Sequence, residues 1–266
     1  MPSITWKNGE INYTDEGRGT AVVLIHGFCE SLALWDDWQE DLVDENLRII
    51  CIDLPGFGAS TTAIDQMDEI AEAVGAVIKA IKVKKGVLIG HSMGGYVALA
   101  LAAKNPGWLI GLSLFHSHPY ADNDEQRAAR QKSIEFIERN GHLHYVKQLV
   151  PRLFAPNAGT SASFRRDLLI LRASRSGPES FINALRAMAN RKDYSEWLAN
   201  YQRPVLFLNG KKDPIYTIEQ RQNQLSLPAI SEVCLLERSG HMGMIEQARE
   251  TQRAVRRFVR FCEKWK

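Results

Sequence analysis

"GVLIGHSMGGYVALALAAKNP", residues 86–106, is the stretch on which the architecture turns. A short apolar run stops at Gly90, presents one Ser92, and passes straight into an alanine-rich apolar stretch with no polar face. Three apolar residues between glycines, Val87 to Ile89, read as a buried strand, and the stretch after Ser92 as a helix buried on all sides. The hydroxyl at the junction, between Gly90 and the Gly94-Gly95 pair, has two readings. It is either a nucleophile held on a forced turn or the occupant of a tight strand-to-helix corner.

Runs of the same kind recur outward from this stretch: AVVLIHG at 21–27, LRIICIDLPG at 47–56, LIGLSLFHS at 109–117, RPVLFLNG at 203–210 and SEVCLLERSG at 231–240. Their unalternated, β-branched character predicts strands buried on both faces of a parallel sheet. Helical patterns at 65–83 and 216–228 lie between them, which implies right-handed crossovers and helices on both faces of an α/β sheet. The opening SITWKNGEINYTDEG alternates around Asn8-Gly9 and predicts a type I′ hairpin. Residues 118–202 break the rhythm with charged helical text and no strand pattern, too long for a bare loop. They predict an α-helical cap, or lid, inserted into a core formed by 1–117 and 203–266. In the last helix, Val255, Phe258, Val259 and Cys262 share one side, and Arg253, Arg256, Arg257 and Arg260 lie mostly on the other. That pattern fits an outer helix docked on the sheet.

The chain has 266 residues, 45% hydrophobic and 24% charged, with a formal charge of +2. This is ordinary for an enzyme-sized α/β protein and gives no electrostatic footprint for nucleic acid. No run approaches the roughly 18 apolar residues of a membrane span. The first residues lack the basic and apolar regions of a secretory signal, so a cytoplasmic location is expected. Cys29, Cys51, Cys234 and Cys262 follow no ligand spacing and read as free thiols.

Gly90-His91-Ser92-Met93-Gly94 fits G-x-S-x-G, where a serine on a strained turn sits at the positive end of the following helix. Serine is a weak nucleophile without a base, and the base needs an orienting acid. Of the seven histidines, His241 alone follows the last strand, in Ser239-Gly240-His241-Met242-Gly243. Asp213 follows the PVLFLNG run directly, whereas Asp122, Asp124, Asp167 and Asp193 lie in the predicted insert. The order Ser92, Asp213, His241, each after a strand, points to nucleophilic catalysis. The Met93 N–H follows the nucleophile, and the loop His26-Gly27-Phe28-Cys29 offers Phe28 N–H as the second donor to an oxyanion. His26 reads as a loop brace.

This ordered set resembles the α/β-hydrolase fold superfamily and, within it, the capped, esterase-like serine hydrolases. The matching text is HGF at 26–28, DLPGFGAS at 53–60, GHSMGG at 90–95, GKKDP at 210–214 and SGHM at 239–242, and the resemblance runs along nearly the whole chain. It implies an eight-stranded, mostly parallel sheet, a Ser92/Asp213/His241 triad, a Phe28/Met93 oxyanion hole and no cofactor. Serine at 92 separates the chain from relatives with an aspartate nucleophile, the haloalkane dehalogenases and epoxide hydrolases. HGF in place of HGGG separates it from the hormone-sensitive-lipase-like branch. The expected activity is a carboxylesterase acting on a small-molecule acyl substrate. The alternatives are a carbon–carbon bond hydrolase of a dicarbonyl compound and a ligand receptor with a slow residual site.

Trp35, Phe57, His116 and Met242 are expected to contact substrate. No G-x-x-x-x-G-K-[ST] occurs, so nucleotide binding is not expected. His116/His118 and His142/His144 lack accompanying ligands, so no metal is expected.

Overall fold

Apolar strands without alternation have no wet face, so they need helices on both sides. The structure, a computed structural model, describes residues 1–43, 46–156 and 159–265, and in it those strands form the middle of one eight-stranded sheet. The strands are β1 Ser3–Trp6, β2 Gly9–Gly17, β3 Thr20–Ile25, β4 Leu47–Ile52, β5 Gly86–His91, β6 Leu109–Phe115, β7 Val205–Gly210 and β8 Ser231–Leu236. Their spatial order is β1-β2-β4-β3-β5-β6-β7-β8. The pairs β1/β2 and β2/β4 are antiparallel, and every other pair is parallel. β5, the strand that leads into Ser92, is fully buried between β3 and β6.

The helices are α1 Asp36–Val43, α2 Met67–Ala80, α3 Met93–Ala102, α4 Asp124–Asn140, α5 His142–Leu149, α6 Thr160–Ala173, α7 Pro178–Ala189, α8 Ser195–Ala199, α9 Ile218–Asn223, α10 Gly243–Glu246 and α11 Ala248–Lys264. α2 and α3 pack together on one face of the sheet, α1 and α11 on the other. α3 is buried at every position, as its composition requires. In α11, Val255, Phe258, Val259 and Cys262 are buried while Arg253, Arg257 and Arg260 face solvent. All four cysteines are free thiols, and among the described residues no helix is long and apolar enough to cross a membrane.

Two expectations change. The hairpin turns one residue earlier, because Trp6 pairs with Gly9 and leaves Lys7-Asn8 at the tip. Lys7 has φ 51° and Asn8 is not left-handed, the pattern of a type II′ turn rather than I′. The other change concerns β8, which is not buried on both faces. It is an edge strand with Val233 and Leu235 exposed on alternate positions.

Between β6 and β7 the chain makes a helical excursion, α4 to α8. α4 starts on a capping box in which Asn123 and Gln126 satisfy each other's backbone N–H groups. The excursion is tied to the core by polar side chains. Arg172 reaches Asp36 at 3.1 Å and the Ala33 carbonyl at 2.5 Å, and Asp68 accepts from Lys192 at 2.5 Å and from the Tyr194 hydroxyl at 3.0 Å.

Candidate active site

Ser92 is the hinge between β5 and α3, at φ 50° and ψ −116°. Such a backbone costs a non-glycine residue about 1–3 kcal/mol and persists only where its surroundings enforce it. Enforcement comes from close packing. A Cβ on Gly90 would sit 2.2 Å from the Gly94 carbonyl oxygen, and one on Gly94 would sit 2.5 Å from the Ile25 and His26 carbonyl oxygens. Backbone bonds pin the corner on both sides: Ser92 N–H donates to Phe115 at 2.9 Å, and Gly95 N–H to Ser92 at 2.9 Å. The turn leaves the Met93 N–H in the first turn of α3, where helix donors have no intrahelical acceptor.

The loops after β7 and β8 carry the acid and the imidazole. Lys212 N–H donates to the Ser239 carbonyl at 3.0 Å, which holds the two loops side by side. Asp213 Oδ2 is 2.8 Å from His241 Nδ1 and 3.0 Å from His116 Nδ1, and its Oδ1 accepts from Ile215 N–H at 2.9 Å. Burial opposes ionisation of Asp213, but the two histidines outweigh it and hold the carboxyl far below its ordinary range.

The His116 tautomer follows from its neighbours. Gly243 N–H donates to Nε2 at 3.1 Å, and at Nδ1 the Asp213 carboxylate at 3.0 Å lies closer than the Gly210 N–H at 3.3 Å, so the proton is on Nδ1 and points to Asp213. Burial lowers His116 to about 4, and the ring is neutral. His116 is therefore a brace beneath the carboxylate. His116, Asp213 and His241 are the one group of metal-type ligands found among the described residues, and the atoms they turn to one another, Nδ1 of each histidine and Asp213 Oδ2, are engaged in hydrogen bonds within the group.

A second buried pair, absent from the sequence reading, joins three loops. Glu30 Oε2 accepts from Gly27 N–H at 2.6 Å and lies 2.9 Å from His91 Nδ1, while His91 Nε2 lies 2.9 Å from the His241 carbonyl oxygen. Both His91 nitrogens face acceptors, so the ring carries both protons. Burial opposes the charge on each partner, yet their mutual attraction raises His91 and lowers Glu30, leaving an imidazolium–carboxylate pair. His26 acts as the expected brace: Leu54 N–H donates to its Nε2 at 2.9 Å, and Nδ1 donates to the Gly27 carbonyl at 2.8 Å. With Gly27 held from both sides, Phe28 N–H has no acceptor among the described residues.

Ser92 and His241 line one cavity of about 190 Å³, with Phe28 and Glu30 beside them. The helical excursion supplies Arg130, Tyr145 and Met188 to its walls. The Tyr216 hydroxyl faces the Ser92 side chain and lies 3.4 Å from the Tyr96 hydroxyl. A more open hollow of about 560 Å³, by Arg152 and Lys212, holds neither Ser92 nor His241.

None of the four residues expected to touch substrate lines the 190 Å³ cavity. Trp35 is fully buried against Trp38 and Phe115, Phe57 is buried against His26, Phe28 and Phe181, and Met242 is buried in the core. His116 lies beneath Asp213. Each is near the site in sequence but directed into packed interior. The lining residues Glu30, Tyr216 and Arg130 were missed. The first two had a visible mark, a carboxylate three residues after Gly27 and a tyrosine three after Asp213; Arg130 had none.

A family profile for the α/β hydrolase fold matches residues 20–119, the segment that carries β3 to β6 and Ser92. A thermophilic esterase from Thermogutta terrifontis, solved with malate bound, superposes with a TM-score of 0.91 at 28% identity, covering 98% of this chain and 99% of that one. The chain has the α/β-hydrolase fold, and its residues 20–119 match that family's profile. Among curated proteins, the chain is 29% identical over 248 residues to the dihydrolipoyllysine-residue acetyltransferase component of an acetoin cleaving system from Pseudomonas putida. That match takes in 91% of this chain and 64% of the relative, so it spans less than two thirds of the longer protein. It is also 22% identical over 261 residues to a 2-hydroxy-6-oxononadienedioate/2-hydroxy-6-oxononatrienedioate hydrolase from Pseudomonas sp, covering 95% of this chain and 92% of that one.

Proposed function

We propose that the protein is a serine hydrolase that cleaves small carboxylic esters through an acyl-Ser92 intermediate. The observation that carries this reading is the Asp213–His241 contact of 2.8 Å, with His241 lining the same cavity as a serine on a strained turn. Asp213 accepts the Nδ1 proton of His241, which leaves Nε2 free to take the proton from Ser92 Oγ as the oxygen attacks the carbonyl carbon. The oxyanion accepts from the Phe28 and Met93 N–H groups. His241 then returns the proton to the departing alcohol, and the same base activates the water that releases the acid. Ser92 turns from Tyr216 towards His241 to begin.

The likeness to a thermophilic esterase over nearly both whole chains supports the ester reading. The relative named as an oxononadienedioate hydrolase favours a second one, carbon–carbon bond cleavage by the same three residues. Labelling with a fluorophosphonate probe, followed by mapping, tests the shared step: modification of Ser92 in the wild type and none in Ser92→Ala is expected. Absence of label on Ser92 in folded protein removes both readings. Turnover of short p-nitrophenyl esters, lost in Ser92→Ala, supports the first. Inert esters with turnover of a vinylogous diketone acid support the second.

A further inference from the structure

The 190 Å³ cavity has one charge that its surroundings do not cancel. Its lining holds two charged side chains, Glu30 and Arg130. Glu30 is neutralised by the His91 imidazolium against it. Arg130 is different, because it shares a single counter-ion with a second arginine. Asp122, 2% exposed, takes Arg130 through Nε and Nη2, and takes Arg191 Nη1 on Oδ1 at 2.5 Å.

Arg191 is otherwise saturated: it donates to the Tyr120 carbonyl at 3.1 and 2.8 Å and to the Met188 carbonyl at 2.8 Å, and stacks 4.0 Å over the Tyr96 ring. The next carboxylate, Asp193, takes Ala121 N–H and the Ser195 N–H and hydroxyl, and neither guanidinium donates to it. Two guanidinium groups share one buried carboxylate, and Asp193, bonded to neither, acts on Arg191 through space, so Asp122 offsets only part of the charge on Arg130. The remaining arm of Arg130, Nη1, has only the Met188 sulfur at 3.4 Å, a weak acceptor that lines the same cavity.

We infer that Arg130 Nη1 is an acid-binding subsite, and that the substrate carries a free carboxylate away from the bond that is cleaved. This deepens the hydrolase reading and rests on it for the word substrate. A cavity that would hold about six waters limits the acyl part to a short chain. The class is the half-ester of a short dicarboxylic acid. A carboxylate at Nη1 replaces the thioether by a charge-assisted hydrogen bond, roughly twice the strength of a neutral one.

Ethyl hydrogen glutarate and ethyl 5-methylhexanoate have the same chain length and end in a carboxylate and a branched hydrocarbon of similar shape. Titration of released acid gives kcat/KM for each. The expected wild-type ratio favours the half-ester by about tenfold or more. Arg130→Met brings the ratio to about one or below, and Arg130→Lys, which keeps a cation, retains part of it. A wild-type ratio near one, or a preference that survives in Arg130→Met, overturns the subsite, and the wild-type ratio stands even where the Met variant does not fold.

Glutarate binding to Ser92→Ala, read as a thermal shift that Arg130→Lys weakens, reports the subsite without turnover. No shift in Ser92→Ala overturns it. A shift without turnover of either ester keeps the subsite and removes the ester reading. Equal turnover of both esters without a shift does the reverse.

Discussion

The strand ends and the helical excursion hold their functional groups by different means. At the strand ends, backbone contacts fix the positions: glycines at 90 and 94 admit an approach that no side chain would survive, and Ser92 is left one conformation. In the excursion, ion pairs do the holding, with Asp122 gripping Arg130 and Arg191, and Asp36 and Asp68 on the core receiving Arg172 and Lys192. Backbone enforcement resists salt and pH. Ion pairs respond to both, strongly where buried and weakly where wet.

Three substitutions probe that difference. The largest effect belongs to Asp213→Asn at the backbone-held rim. An amide in that position donates to His241 Nδ1 instead of accepting from it, so Nε2 holds a proton and cannot take one from Ser92. Turnover of an ester substrate should fall about 10⁴-fold with the fold intact. A loss under about tenfold would show that Asp213 does not set the tautomer.

Next comes Glu30→Gln, which strands the His91 imidazolium in the interior. Removing one partner of a buried pair costs about 3–5 kcal/mol, measurable as a lowered denaturant midpoint. Its pH dependence has a definite sign. His91 is raised when folded, so its contribution is complete below the ordinary value of 6.5 and fades as pH rises through the raised value. Glu30 is lowered, so its contribution is complete above 4.5 and fades as pH falls through the lowered value. The wild type's margin over the variant is therefore greatest between pH 4.5 and 6.5. A margin that stays flat from acid to alkaline pH would mean that the pair is uncharged.

The smallest effect belongs to Arg172→Ala, a tether between the excursion and the core. Asp36 is half-exposed and solvent screens the pair, so the cost is at most about 1 kcal/mol, and high salt should erase most of it. A larger cost that persists in salt would place this tether with the backbone-held rim rather than with the wet ion pairs.

The same contrast explains what the sequence discloses. Strands buried on both faces announce themselves by unbroken apolar runs, so β3 to β7 are readable with their starts to within two residues, although the run at 47–56 overshoots the end of β4 by four. β8 was misread because an edge strand can be as apolar as a central one, and only the missing neighbour exposes Val233 and Leu235. The positions of Ser92, Asp213 and His241 just past strand ends are legible because each follows a strand at a glycine-marked loop, where local backbone dictates position. Trp35, Phe57, His116 and Met242 are not, since closeness along the chain does not decide on which side of a loop a side chain packs. Arg130 was invisible for another reason: one arginine among many on a charged helix gains its meaning only from Asp122 and Arg191, brought to it by folding.

The placement of the cavity has a practical consequence. Its chemistry-bearing floor comes from loops scattered from residue 28 to residue 241, while Arg130, Tyr145, Leu149, Leu185 and Met188 all lie in the excursion between β6 and β7. That ceiling is encoded by one unbroken stretch of gene. A single cassette exchange or a library confined to those codons can therefore reshape that ceiling, and Ser92, His241 and Asp213 need never be rewritten.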